Sequence, residues 1–100
     1  MAKIIFEINY NIYPEKRSDY LKTIGELKQN ILSSSDSEYS VFENNKTKNN
    51  FSEIFVFENE EKFDAMEDNQ SEESMMLTQK LFDDFIVDRK VTYSTKHEVL

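Results

Sequence analysis

The chain has 100 residues, a formal charge of −8, one glycine, one proline, and neither cysteine nor tryptophan. That length fits one domain, and folding at this size buries roughly 65% of the chain's surface, so the core is modest and a partner would help complete it. With 38% hydrophobic and 32% charged residues the composition is globular, while the lack of cysteine excludes disulfides and thiolate metal sites and fits a reducing cytosol.

Residues 4–13 alternate with a period of two. Ile4, Phe6, Ile8, Tyr10 and Ile12 fall on one side, and Ile5, Glu7, Asn9, Asn11 and Tyr13 on the other. This predicts a strand with one strongly apolar face. The opening turns polar after four residues, unlike a signal peptide. No run approaches the ~18 apolar residues of a membrane helix, so a cytoplasmic protein without membrane contacts is expected.

Pro14 stops the strand and suits the first turn of a helix. Over 15–32 the apolar residues Tyr20, Leu21, Ile24, Leu27, Ile31 and Leu32 recur at helical spacing. Gly25 lies inside this helix at a cost of about 1 kcal/mol against alanine; it either permits close approach to a strand or sits on the exposed side. The serine-rich run 33–37 ends the helix in a loop.

Residues 38–43 and 51–58 read as two strands joined by the polar loop 44–50, short enough to imply an antiparallel hairpin. Asn59 is a good N-cap, and Glu60 and Glu61 suit the first turn that follows. Phe63 and Met66 form the inner face of this short helix. After a break at 68–71, Leu77, Leu81, Phe82, Phe85 and Ile86 mark a longer helix. A last strand over 89–99 puts Val91, Tyr93, Thr95, His97 and Val99 on one face.

The charge is uneven. Residues 1–50 carry seven basic and seven acidic side chains, whereas 51–100 carry five and thirteen; between 58 and 73 eight acids face only Lys62. Such a surface repels phosphates, so no nucleic-acid partner is expected, and the block reads as a solvated helical face.

The order is β-α-β-β-α-β with the second helical region split, which is the α+β, ferredoxin-like plan with a four-stranded antiparallel sheet, spanning 1–100 as one domain. The first and third strands, the most apolar, belong in the centre. Helices cover one face of such a sheet. The expected helix-facing layer comprises the even residues of the first strand with Ile54 and Val56. The opposite face then carries Ile5, Phe55 and Phe57, apolar enough to need cover. Two sheets packed face to face would supply it with two-fold symmetry.

The stretch Phe55-Val56-Phe57-Glu58-Asn59-Glu60-Glu61-Lys62-Phe63-Asp64-Ala65 resembles the junction between third strand and helix in the antibiotic biosynthesis monooxygenase-like family. The architecture of the whole chain resembles that family as well. The resemblance implies a dimeric α+β barrel with a pocket between helices and sheet in each subunit. It implies cofactor-independent oxidation of quinols or polyketide phenols, or haem degradation. The haem-degrading branch resembles Val56-Phe57-Glu58-Asn59 but has tryptophan where Phe57 stands, and its later-helix histidine has no counterpart over 75–86. A first-strand asparagine of that branch corresponds to Asn9 or Asn11. Many members also carry a histidine after the third-strand helix, where this chain has Ala65-Met66-Glu67.

His97 is the one imidazole, able to act as a general base if it faced a pocket but too solitary for a metal site. Asn9 and Tyr10 are the other catalytic candidates. Tyr10, Tyr39 and Tyr93 offer phenolic hydroxyls to orient a ring oxygen, and Met66 and Met76 suit an adaptable cavity wall; simple packing is the commoner role for each. Asp83, Asp84 and Asp88 lack a calcium-loop pattern, and one glycine cannot build a phosphate loop. No metal and no cofactor is expected. The resulting expectation is a cofactor-independent monooxygenase acting on a small aromatic quinol or phenol. The alternative is a non-catalytic homodimer that binds a small molecule or a protein.

Overall fold

In the computed structural model, residues 2–34, 38–66, 68 and 70–100 are described. The elements run β1 (Ile4–Ile12), a 3-10 turn (Pro14–Lys16), α1 (Arg17–Ser34), β2 (Glu38–Glu43), β3 (Asn50–Phe57), α2 (Glu60–Asp64), α3 (Glu72–Lys80), a π-helical turn (Leu81–Phe85) and β4 (Ile86–His97). Every strand pairing is antiparallel, in the order β2-β3-β1-β4. The ferredoxin-like plan, the split helix and the two apolar central strands are therefore as expected. Part of the expected serine-rich loop, 35–37, lies outside the described residues.

The register overturns one expectation. Ile4 pairs with Phe57, Phe6 with Phe55, Ile8 with Glu53 and Tyr10 with Phe51. Residues directly opposite in an antiparallel pair share a face, so Phe51, Glu53, Phe55 and Phe57 look toward the helices. Ile54 and Val56, not Phe55 and Phe57, share the open face with Ile5. A shift of one residue in parity exchanges the two faces of a strand completely, and both alternating sets of β3 are apolar enough to go inward. Glu53 made the phenylalanine set look like the wet one.

Two clusters fill the helix side. At one end Tyr10, Ile12, Tyr20, Ile24, Leu27, Phe51, Leu81, Phe85 and Ile86 form the buried core. At the other, Phe6 stacks on Tyr93 at 5.9 Å and lies 6.2 Å from Phe55 and 6.0 Å from Phe63. Phe57 contacts Phe63 edge-on at 5.5 Å beneath α2. Asn59 caps α2 as expected, accepting from the Lys62 N–H at 2.9 Å. Leu21 and Leu32 are exposed rather than part of the buried stripe of α1, where Thr23 is buried instead. Gly25 is exposed, and a Cβ there would meet nothing within 4 Å, so it permits no close approach.

The later helix ends sooner than its periodicity predicts. Leu77, Leu81 and Phe85 continue an i, i+4 row, but the backbone widens into the π turn and Ile86 already pairs with Ile12 in β4. Between that pair and Val91–Tyr10 the register shifts, and Asp88 and Arg89 take positive φ angles of 53° and 54° in the resulting bulge.

Candidate functional site

Between the two clusters, under α1, α2 and α3, lies a cavity of about 1090 Å³, at the top of the range of about 300–1,000 Å³ common for small-molecule sites. Ile8, Tyr10, Glu53 and Phe55 form its floor. Leu27 and Ile31 of α1, with Ser74 and Thr78 of α3, make the walls, and the π turn adds Leu81 and Phe82. Single π turns inside helices recur at functional sites because the extra residue re-aims the side chains around it. Met66 and the exposed Lys62, Gln70 and Tyr93 mark the rim. The helix pair is tied by Asn30, whose Oδ1 accepts from the Ser71 and Ser74 hydroxyls at 2.6 and 2.7 Å.

The floor holds a buried carboxyl. Glu53 is 6% exposed; its Oε1 accepts from the Tyr39 hydroxyl and its Oε2 from the Tyr10 hydroxyl, each at 2.7 Å. Tyr10 and Tyr20 oxygens are also 2.7 Å apart. Since the single Tyr10 proton goes to Glu53, Tyr20 donates to Tyr10. Burial pushes the Glu53 carboxyl above its ordinary value, against the pull of the Tyr39 and Tyr10 hydrogen bonds. Burial, followed by the neighbouring Glu53 charge, raises the Tyr10 and Tyr39 phenols far above their usual range. Burial also raises Tyr20.

Of the pocket residues expected from the sequence, Tyr10, Met66 and Tyr93 border the cavity. Tyr39 and Met76 do not. Tyr39 is 3% exposed and reaches the site only through Glu53, while Met76 is 68% exposed on the outer side of α3. The catalytic candidates separate likewise. His97 is exposed at the end of β4, opposite Ile4. Asn9 lies on the open sheet face, where its Nδ2 donates to Asn50 Oδ1 and Ser52 Oγ at 2.9 Å and Ser52 donates to Glu7 at 2.7 Å. Only Tyr10 touches both cavity and carboxyl. Sequence reasoning missed Glu53 and Tyr20. The available signal was a single acid alternating with Phe51, Phe55 and Phe57, an odd member of an aromatic set.

A second charged cluster is structural. Arg17 grips Glu43 with both guanidinium nitrogens, at 2.6 and 2.8 Å, and lies 5.5 Å over the Phe51 ring. The Asn49 N–H adds a third bond to Glu43 at 2.9 Å, fastening the β2–β3 hairpin to the start of α1. Among the described residues, no group of three or more His, Cys, Asp or Glu side chains could hold a metal ion. Among the described residues, no helix is long and apolar enough to cross a membrane.

No family model matches the chain, and no curated protein matches it in sequence. Solved structures do match in fold. A conserved protein from Methanosarcina mazei Go1 gives a TM-score of 0.79 at 14% identity, covering 96% of this chain and 92% of that one. An antibiotic biosynthesis monooxygenase gives 0.78 at 19% identity, with 100% of both chains covered. SnoaB, a cofactor-independent oxygenase from Streptomyces nogalater, gives 0.67 at 7% identity over 98% of this chain and 92% of its own. The fold is thus that of the antibiotic biosynthesis monooxygenase-like proteins.

Proposed function

We propose that this chain is a cofactor-independent monooxygenase that oxidises a small phenol or quinol in the cavity between its helices and its sheet. The observation that carries this reading is the hollow itself: about 1090 Å³, walled by apolar and aromatic side chains together with Ser74 and Thr78, with a hydrogen-bonded carboxyl on its floor. Filling that interface with Phe and Met would have favoured a non-catalytic dimer. A phenol and dioxygen balance to a quinone and water, one oxygen atom entering the ring and the other leaving, so the substrate supplies every electron.

Each bordering residue has a physical part in this. Phe6, Phe55 and Tyr93 offer ring faces against which an aromatic substrate packs. Met66 adapts the rim to its outline. Tyr10, which accepts from Tyr20 and donates to Glu53, holds the carboxyl in place at the floor. The solved structures of the same fold whose names declare an oxygenase support the assignment. The lack of cysteine fits work in the cytosol.

The open sheet face fits a second copy of the chain. Across it Glu38, Val56, Ile5 and Lys96 lie in one row, an acid and a base flanking two apolar residues. A two-fold axis parallel to the strands lays Glu38 over the partner's Lys96 at both ends and apolar centre over apolar centre. Ile54 and the 54% exposed Phe42 extend the patch. Sedimentation should give twice the 11.9 kDa chain mass, and Val56→Lys should return the single chain. A wild-type chain sedimenting at its own mass would refute the pairing.

Oxygen uptake tests the activity. A panel of hydroquinones and hydroxynaphthalenes in air-saturated buffer should consume dioxygen faster with the protein than by autoxidation. Ile8→Trp, which fills the floor, should abolish the excess. Uptake equal to autoxidation across the panel would remove the monooxygenase reading.

A further inference from the structure

Glu53 has two neutral partners and no cation. Among the described residues, the ion pairs use Glu43, Glu58 and Asp83 instead. With both tyrosine protons directed at it, each carboxylate oxygen acts as an acceptor and still has a lone pair to spare. An apolar residue of similar volume would serve stability as well or better at a buried position. The other titratable groups around the carboxyl are Tyr10 on β1, Tyr39 on β2 and Tyr20 on α1, all phenols, with Glu61 and Lys62 of α2 exposed at the cavity's edge. Glu53 is the one buried carboxyl bordering the space, among the described residues.

We propose that Glu53 is the proton acceptor of the site, taking the hydroxyl proton of a neutral phenol or enol bound against it while Tyr10 and Tyr39 hold the carboxylate in position. This rests on the cavity reading above. In the step the substrate O–H bond breaks, a carboxyl O–H bond forms, and the ring keeps the electron pair as a phenolate. That electron-rich ring is what reduces dioxygen, the co-reactant. Burial brings the basicity of the carboxylate closer to that of a phenolate, which favours the transfer. The same unpaired negative charge sets specificity. A ring bearing its own carboxylate or phosphate meets repulsion on the floor with no cation to relieve it, so the substrate class is an uncharged hydroxylated ring.

Binding of 4-nitrophenol tests this, because its phenol and phenolate forms absorb in separate bands. At a pH just below its own ionisation, titration with the wild-type chain should increase the phenolate band. Glu53→Gln should bind the dye within a few-fold of wild type and lose most of that band. Tyr39→Phe keeps the carboxylate but removes one donor, making it the stronger base; the phenolate-to-phenol ratio should rise about ten-fold, the change expected from losing one charge-assisted hydrogen bond. Wild-type chain that binds the dye as neutral phenol, or Glu53→Gln that retains the phenolate band, would overturn the acceptor role and leave the cavity reading standing. A band that falls in Tyr39→Phe as well would mean that both changes only disturb packing, and would also overturn it. No binding by the wild-type chain would remove the cavity reading and the acceptor role together.

Discussion

Replacing Phe57 with alanine separates the observed register from its one-residue alternative. The ring is 1% exposed, edge-on to Phe63 at 5.5 Å and parallel to Phe55 at 6.0 Å. Truncating a buried phenylalanine to alanine costs about 3–5 kcal/mol, and two aromatic contacts of this kind place the loss toward the upper end. Against a total of about 5–15 kcal/mol for a domain, that is a large fraction. With a urea dependence of roughly 1–3 kcal/mol per molar, a loss of about 4 kcal/mol lowers the unfolding midpoint by about 2 M. Urea titration followed by circular dichroism reads the shift, and sedimentation without urea reads the association state. The expected pair of results is a much lower midpoint and an unchanged mass; Phe57→Leu, with its smaller loss, gives the same ordering if the alanine variant does not fold. An unchanged midpoint with a change of mass would put the ring on the open face and refute the register.

Gly25→Ala should raise stability by about 1 kcal/mol, since the position is helical and exposed and the added methyl meets no neighbour; a lower melting temperature would contradict the placement. Asn59→Ala should cost about 1 kcal/mol by leaving the Lys62 N–H without its acceptor, read by faster hydrogen exchange in α2 than in α1. The Arg17 guanidinium, helped by the Asn49 N–H, lowers the Glu43 carboxyl from 4.5 to about 2. Its stabilising effect is complete above the ordinary carboxyl range and disappears as pH falls through about 2, so Glu43→Gln should flatten the acid limb of a stability–pH curve over that window. Glu53 has the opposite sign: its folded-state carboxyl is raised, so the folded chain binds the extra proton. Wild-type stability relative to Glu53→Gln should therefore fall as pH rises from the ordinary carboxyl range toward the raised value. A rise over that range would contradict the burial of the carboxyl.

The element order and the sheet order were legible because the periodicities of β1 and α1 are clean and the hairpin loop is short. The Asn59 cap was legible because capping is a local exchange between neighbours in sequence. Two features were not. The π turn hides behind the i, i+4 row of Leu77, Leu81 and Phe85, which a continuous α-helix would also produce. Ile86 belongs to the sheet only because Ile12, far away in sequence, pairs with it.

The orientation of β3 illustrates the limit most sharply. Alternation within 51–57 establishes two sets but not which one goes inward, and a carboxyl among three phenylalanines argues for the wet side. What reverses the balance comes from other strands: Tyr39, 14 residues away, and Tyr10, 43 residues away, supply the two hydroxyls that make the inward Glu53 tolerable. No pattern inside β3 encodes them. Once the acid is inside, it resists being packed over by leucine or phenylalanine, because covering a carboxylate with hydrocarbon leaves its remaining lone pairs without donors. The space between the two packed clusters therefore stays open above the carboxyl. The feature that defeated the face assignment is thus the same one that gives the cavity a chemically distinct floor.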